Sequence, residues 1–236
     1  MTVEEVRAPS LGPTGTRWLG YGLALVGTPV GVVAAIGPAG PGSQLLATAA
    51  IAIALVVLAL AASSPASFEV KSTRSPTRVI NFLLLLPAAS LMVAGFTSPL
   101  LNPQIVFLTG VAGSAIAVLV GLWVPRAQPA ANSTFLYLFL VLYGAGFGVG
   151  APALVNRCFD RSPGQIYQAT VEGRRITSGK GGLHYSLKLG PWGPRTGSSY
   201  LPVTRAAYDA ARPGDSACVS LHPGALGMAW YVAAPC

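Results

Sequence analysis

The chain has 236 residues, of which 52% are hydrophobic and only 9% are charged, and its mean hydropathy is +0.58. Soluble domains carry about 25% charged residues, so this composition excludes an ordinary soluble fold and indicates a membrane protein. The net charge of +8 does not indicate a nucleic-acid partner, because no motif combines aromatic with basic residues and the basic residues collect at the ends of apolar segments.

Long uncharged segments follow a polar N-terminal tail, which we assign to residues 1–17. Each segment is close to the roughly 20 residues that a helix needs to cross a bilayer. They predict a five-helix transmembrane domain over residues 18–155, although a cleaved signal peptide is an alternative for the first segment. The predicted spans are residues 18–36, 44–62, 79–97, 105–124 and 134–155.

The positions of lysine and arginine predict the orientation of these spans. The tail and the loops after the second and fourth spans contain basic residues, whereas the turns after the first and third spans contain none. Because cytoplasmic loops are enriched in lysine and arginine, we expect the N-terminus to lie in the cytoplasm of a bacterial inner membrane. The fifth span then delivers residues 156–236 to the extracytoplasmic, periplasmic side.

Small residues spaced four apart predict how the helices pack, since each pair lies on one helix face and permits close backbone approach. These candidate packing residues are Gly27, Gly31, Gly110, Ser114, Gly144, Gly146, Gly148 and Gly150. The spans contain no Asp, Glu, Lys, Arg or His, so proton- or ion-coupled transport is not indicated. A facilitator for a small neutral solute remains an alternative, because Pro29 and Pro87 are compatible with broken helices.

From residue 165 the apolar pattern changes to an alternation of period two, which is typical of half-buried strands. Strands are predicted at residues 165–176, 183–189, 200–203, 216–221 and 228–232. A glycine-rich hairpin turn joins the first two strands, and a short helix is predicted over residues 204–211. Five short strands with one helical turn predict a small, partly open extracytoplasmic β-barrel of the OB or SH3-like kind.

The layout of the chain resembles that of uncharacterised bacterial multi-pass membrane proteins that carry a small C-terminal β domain. The stretches that carry this resemblance are residues 166–176 (IYQATVEGRRI), 191–195 (PWGPR) and 213–231 (PGDSACVSLHPGALGMAWY). The resemblance covers the C-terminal third of the chain. It implies no activity, because that group has no assigned one.

Titratable groups are sparse in the predicted β domain, and no cysteine or histidine is paired at the spacing of a zinc site. Cys218 and His222 lack the flanking residues of a nucleophilic pair. We therefore predict no catalytic residue, no metal site and no cofactor, with a thiol- or metal-dependent membrane enzyme as a second alternative. The leading hypothesis is a non-enzymatic membrane protein whose exported β domain is an interaction or scaffold module.

The expected partners are the lipid bilayer and a membrane or periplasmic protein. A candidate binding surface is formed by residues that are basic or aromatic and lie near predicted turns. These residues are Arg174, Arg175, Lys180, Trp192 and His222. The arginines and the lysine belong to one predicted hairpin, which suits contact with lipid headgroups.

All three cysteines lie in the half of the chain predicted to be exported, where disulfides persist. If the last two strands pair directly, Cys218 lies opposite about Tyr231, and Cys236 extends roughly 16 Å beyond it. Disulfides need Cα atoms within about 7 Å, so a bridge between those two cysteines is disfavoured. We predict a disulfide between Cys158 and Cys236, with a bridge from Cys158 to Cys218 and three free thiols as the alternatives.

Overall fold

The computed structural model describes residues 13–36, 41–63, 85–123, 133–179 and 182–236. The chain divides into two compact units, which we call the helical unit and the β unit. The β unit comprises Asp160–Cys236 together with the short segment Pro99–Asn102. Most of the predicted N-terminal tail and the predicted basic loops lie outside the described residues.

The helical unit consists of apolar α-helices. Its described helices are α1 (Pro13–Ile36), α2 (Pro41–Ser63), α3 (Leu86–Thr97), α4 (Gln104–Trp123) and α5 (Ser133–Cys158). Pro41 begins α2 and Pro87 lies in the first turn of α3, where a missing N–H costs nothing. Pro87 therefore lies at the start of a described helix, and residues 79–84 of the predicted third span lie outside the described residues.

Two segments of the described helices, Pro41–Leu60 and Leu138–Cys158, are long and apolar enough to cross a membrane. Shorter apolar helices cover Trp18–Ala34, Leu86–Thr97 and Gln104–Val120. The described residues thus contain two candidate spans, and five transmembrane helices are not supported by length and composition alone.

Small residues bring the helices of this unit to backbone contact. An added Cβ atom at any of seven glycines would overlap an atom of a neighbouring helix; these are Gly27, Gly31, Gly110, Gly144, Gly146, Gly148 and Gly150. The hydroxyl of Ser114 donates to the Gly110 carbonyl within α4, at 3.0 Å, and to the Val141 carbonyl of α5, at 3.1 Å. Gly113, which sequence analysis did not single out, lies directly against Gly144 and Gly148.

The β unit is built on one antiparallel sheet with the strand order β3-β2-β1-β4-β5. Its elements are β1 (Gln165–Gly179), β2 (Gly182–Leu189), β3 (Ser199–Pro202), α6 (Arg205–Ala210), β4 (Ser216–His222) and β5 (Trp230–Ala234). No backbone pairing joins β3 to β5 in the part of the chain that the structure describes, so the sheet is open and the predicted barrel is wrong. One reason is that β3 is short and ends at Pro202, which has no N–H to donate.

The free edge of β5 is covered by the segment Pro99–Asn102. Leu101 N–H donates to the Ala229 carbonyl at 2.8 Å, and Tyr231 N–H donates to the Pro99 carbonyl at 2.9 Å. Sequence analysis assigned this segment to a turn between two spans. The core of the β unit contains Ala169, Val171, Leu187, Leu189, Trp192, Leu201, Val219 and Tyr231.

The disulfide of the β unit joins Cys218 to Cys236, whose Cα atoms are 5.3 Å apart, and Cys158 is buried without a disulfide. The prediction that Cys158 bonds to Cys236 is therefore wrong. Its error lies in the strand register, because Cys218 pairs with Ala234 and not with Tyr231. Cys236 follows Ala234 by two residues, close enough for the chain to fold back to the neighbouring strand.

Candidate interaction surface

A two-stranded ribbon extends from the sheet of the β unit. Residues 165–170 of β1 pair with β4, whereas residues 173–179 pair with β2 alone, after a β-bulge between Val171 and Gly173. We call residues 174–179 and 182–185 the ribbon. An isolated hairpin is marginally stable in water, so the ribbon depends on the sheet from which it extends.

One edge of the ribbon has unpaired backbone groups. The Tyr185 carbonyl accepts a hydrogen bond from Val203 N–H at 3.0 Å, so the Tyr185 backbone points away from β1. Opposing residues of an antiparallel pair share this direction, which places the N–H and C=O groups of Ile176 on the outer edge of β1. By the same alternation, the backbone N–H and C=O groups of Arg174 and Ser178 also point to this edge, where the described residues provide no pairing strand.

The ribbon face that continues from the core carries one arginine and an apolar tip. Arg174 pairs with the buried Leu187 and places its guanidinium 5.2 Å from the centre of the Tyr208 ring. Towards the turn, Ile176 and Leu183 are 49% and 56% exposed. Arg174 Nη1 also donates to the Tyr208 carbonyl at 3.4 Å, so the ring and the backbone of Tyr208 together hold this guanidinium against α6.

The opposite ribbon face is polar. Arg175 lies 5.1 Å from the centre of the Tyr200 ring of β3. Beside the ribbon, Lys188 forms a 2.8 Å ion pair with Glu172, and the hydrogen bond to that carboxylate raises the pKa of Lys188. Because Arg174 and Arg175 are consecutive in the strand, positive charge occurs on both faces.

The sequence around the ribbon has basic residues without nearby acids. No Asp or Glu occurs from residue 173 to residue 208. The basic residues of that stretch are Arg174, Arg175, Lys180, Lys188, Arg195 and Arg205. Lys188 is paired with Glu172 and Arg205 with Asp209, two acids that lie just outside the stretch, whereas Arg174 and Arg175 give the ribbon a local positive potential.

The predicted surface residues do not form one site. Arg174 and Arg175 lie on the ribbon, and Lys180 lies outside the described residues. Trp192 is only 3% exposed, with its indole N–H donating to the Ser199 hydroxyl at 3.0 Å, so its assignment to the surface is wrong. His222 lies near the start of the β4–β5 loop, where its ring stacks on Trp230 at 4.4 Å.

Asp160 organises the end of the β unit that contains His222. Its carboxylate accepts hydrogen bonds from the Trp230 indole at 2.8 Å, from Gly224 N–H at 2.9 Å, and from the N–H and hydroxyl of Ser162. Partial desolvation acts to raise the pKa of Asp160, but these four hydrogen bonds outweigh it and the pKa is lowered. The arrangement stabilises the β4–β5 loop and is structural.

A cavity of about 300 Å³ lies between α6 and the sheet, with apolar side chains and the disulfide in its wall. Within the described residues, no group of three or more His, Cys, Asp or Glu side chains is placed to hold a metal ion. The structure thus makes the ribbon the strongest candidate surface.

Sequence analysis missed Tyr200 and Tyr208, because nothing in a single sequence pairs an aromatic ring with an arginine more than 20 residues away.

Comparisons of the chain with protein-family models, curated proteins and solved structures give no match.

Proposed function

We propose that the chain is a multi-pass inner-membrane protein whose extracytoplasmic β unit acts as an interaction module. The ribbon carries this proposal, because it extends two tyrosine-supported arginines and an apolar tip beyond the core. Exposed apolar and basic groups on one projecting element are typical of binding surfaces.

Membrane insertion of the helical unit is supported by its exterior. Only 28% of the apolar span in α2 is buried, and large apolar side chains cover the outside of α4. Soluble proteins seldom expose so continuous an apolar surface, whereas lipid-facing helices do. This exterior favours embedding all five described helices in the bilayer, including those that are short over their described residues.

The proposed threading is supported by the pairing of Pro99–Asn102 with β5. This segment follows α3 and precedes α4, so it and the β unit must share one side of the membrane. An N-terminus in the cytoplasm and five crossings meet that requirement, because the turn after the third span and the end of the fifth are then both extracytoplasmic.

Alkaline phosphatase fusions test this threading. A fusion after Cys236 should be active, and a fusion within residues 63–78 should be inactive, because phosphatase folds only outside the cytoplasm. Matched fusions to a reporter that is active in the cytoplasm should give the reverse result. Activity only in the loop fusion would show that the topology is the reverse of the proposed one.

Crosslinking in native membranes tests the interaction module. The wild-type chain should recover a stoichiometric membrane or periplasmic protein, and a variant with Arg174→Gln and Arg175→Gln should lose it. The matched control removes two basic side chains elsewhere, by Arg205→Gln and Arg212→Gln. A chain that remains alone at native expression would refute the role as a protein-binding module.

The alternative of a thiol enzyme loses one candidate nucleophile, because Cys218 is bonded to Cys236. Burial of Cys158 also removes that thiol from solvent.

A further inference from the structure

The open edge of β1 shows how the ribbon can hold a partner. We infer that this edge binds an extended acidic segment of another protein, which adds to the sheet as a further antiparallel strand. The inference rests on the proposed function, because it names the binding mode of the interaction module. The backbone of Arg174, Ile176 and Ser178 holds the segment, and Arg174 and Arg175 select its charge.

One end of the open edge is closed by the chain itself. The Val171 N–H donates to the Asp215 carbonyl, and the Val171 carbonyl accepts a hydrogen bond from Gly214 N–H, both at 2.8 Å. Beyond that turn, every residue from 174 to 179 is exposed, and none of the residues that the structure describes pairs with the outer side of this part of β1. An added strand therefore has room beside residues 174–178.

The unpaired backbone groups of this edge supply directional hydrogen bonds. Arg174, Ile176 and Ser178 each direct one N–H and one C=O away from β2. An antiparallel strand meets both groups of each residue, because its own outward-facing residues lie directly opposite them. In strand addition, main-chain bonds of this kind give the affinity and the side chains give the specificity.

The edge lacks the usual devices that prevent strand addition. Native edges are blocked by proline, by lysine side chains or by a covering loop. Residues 173–179 contain neither proline nor lysine, and neighbouring rings hold both arginines off the edge. The Tyr200 ring that holds Arg175 belongs to β3, on the far side of β2 from the edge, and Arg174 turns to the ring and carbonyl of Tyr208. The backbone of the edge is thus open to an incoming strand.

Charge favours an acidic partner over a second copy of this chain. The charged side chains of the ribbon, Arg174 and Arg175, are both positive, and no Asp or Glu occurs from residue 173 to residue 208. Two ribbons brought edge to edge would place like charges close together, which is unfavourable between paired strands. Acidic side chains in an incoming strand attract the same guanidinium groups.

The alternation of side chains along a strand specifies which positions are acidic. Arg174 and Arg175 lie on opposite faces of the ribbon, and a strand in the plane of the sheet also directs successive side chains to opposite faces. Two consecutive acidic residues of the partner therefore meet the two arginines, one on each face. In an antiparallel register the residue before them lies opposite Ile176, whose 49% exposed side chain favours an apolar neighbour. The expected motif is one apolar residue followed by two acidic residues.

Amide exchange in the full-length chain tests strand addition. Selective isotope labelling of isoleucine and threonine nitrogen, in detergent micelles, compares Ile176, whose N–H points to the edge, with Thr177, whose N–H points to β2. The probe is a short synthetic peptide of alternating valine and threonine, with a valine followed by two glutamates at its centre. Matched peptides replace the glutamates with lysines, or carry N-methyl groups on the amides of one edge or of the other.

We expect the saturating glutamate peptide to slow exchange of the Ile176 N–H about tenfold, as one added backbone hydrogen bond can do. Exchange of the Thr177 N–H should change little, because that group already bonds to β2. Methylation of the peptide edge that faces β1 should abolish the protection, and methylation of the opposite edge should leave it intact. The wild-type chain is used throughout, so these results do not depend on the folding of a variant.

Side-chain selection is measured by titration of the Ile176 amide resonance with each peptide. The lysine peptide should bind about fivefold more weakly for each reversed charge. Arg174→Gln with Arg175→Gln should remove this preference, and Arg205→Gln with Arg212→Gln should keep it. Slow exchange of Thr177 in each variant verifies that the ribbon remains folded.

Equal protection by peptides methylated on either edge would overturn the inference, because side chains alone would then hold the peptide. Absence of protection by the glutamate peptide, or equal binding of the glutamate and lysine peptides, would overturn it as well. Slow exchange of Ile176 without any peptide would show that the edge is already occupied, and sedimentation would then distinguish a second copy from a segment of the same chain. The proposed function fails on a separate result, a chain that remains alone in native membranes.

Discussion

The two units of this chain differ in the size of many of the side chains that they bury. In the helical unit the buried positions are often alanine, as at Ala24, Ala47 and Ala54, while Leu108 and Val111 of α4 are 68% and 70% exposed. In the β unit the core is made of large side chains, including Leu189 and Trp192, together with Tyr231. Alanines are thus prominent among the buried positions of the helical unit, beside larger residues such as Leu91 and Tyr143, whereas large side chains dominate the core of the β unit.

This difference is expected if the helical unit is embedded in lipid, as we propose, because two solvents then act on the two halves of the sequence. Water drives large apolar groups into the core of the β unit, because their burial releases hydration water. Lipid gives no such drive between helices, so contact is gained by close backbone approach at small residues. One physical test follows for each unit. Removing side-chain volume from the core should destabilise the β unit, and adding side-chain volume at a helix contact should destabilise the helical unit.

The largest effect is expected from Trp192→Ala in the β unit. This substitution empties a site where the indole packs against the rings of Tyr167 and Tyr231, so the free energy of unfolding should fall by about 3 to 5 kcal/mol. Denaturant unfolding followed by near-ultraviolet circular dichroism measures it. Trp192→Phe keeps most of the volume and should lose clearly less; an equal loss would argue against a volume effect.

Loss of the disulfide should have the next largest effect. Cys218 and Cys236 are 18 residues apart, and opening a loop of that size should cost the β unit about 3 kcal/mol. Cys236→Ser should show this in the same unfolding assay, with Cys158→Ala as the control that leaves the bridge intact. Non-reducing peptide mapping should recover Cys218 linked to Cys236, and a linked Cys158 would contradict the structure.

Gly150→Ala tests the helical unit by adding a single methyl group. The new Cβ would overlap the backbone of Leu91, so the α3–α5 contact must separate, at a cost of about 1 to 3 kcal/mol. Thermal unfolding in detergent, followed by far-ultraviolet circular dichroism, gives the difference. The control is Gly22→Ala, where no atom lies within 4 Å of the new Cβ. Equal melting of the two variants would show that close packing is not limiting.

The smallest effect is expected from pH, acting on Asp160. Its folded-state pKa is lowered, so its contribution is present above the unfolded pKa and is lost as pH falls through the folded pKa. Stability of the β unit should therefore decline below about pH 4, near the ordinary pKa of aspartate. Asp160→Asn should cost about 1 kcal/mol at neutral pH and flatten this decline. An unchanged pH dependence would assign the decline to other carboxylates.

The sequence predicted the helices and strands well where composition alone determines them. Uncharged runs predicted the positions of the described helices, because the length and apolar character of each run are read directly from the sequence. The boundary was less accurate at Pro41, which starts α2 although a proline among glycines also indicates a turn. The sequence could not predict that the sheet stays open, because this depends on the length of β3 and on the irregular pairing of β1 at Gly173.

Register errors explain the missed features of the β unit. Met228 and Ala229 have the apolar character of a strand, yet β5 begins at Trp230, and this difference moved the predicted partner of Cys218. Trp192 follows a Gly-Pro turn, which suggests an exposed aromatic residue, but its ring packs against the rings of Tyr167 and Tyr231. Both outcomes are set by contacts distant in sequence.

The edge contact between Pro99–Asn102 and β5 also has a consequence for biosynthesis. The ribosome makes Pro99 long before Tyr231. The Pro99 carbonyl can therefore accept the Tyr231 N–H only after β5 has been synthesised. Until then water satisfies its backbone groups. Translation of the final residues thus completes the pairing of the segment between α3 and α4, and a chain truncated before Ala229 lacks both backbone partners, Ala229 and Tyr231.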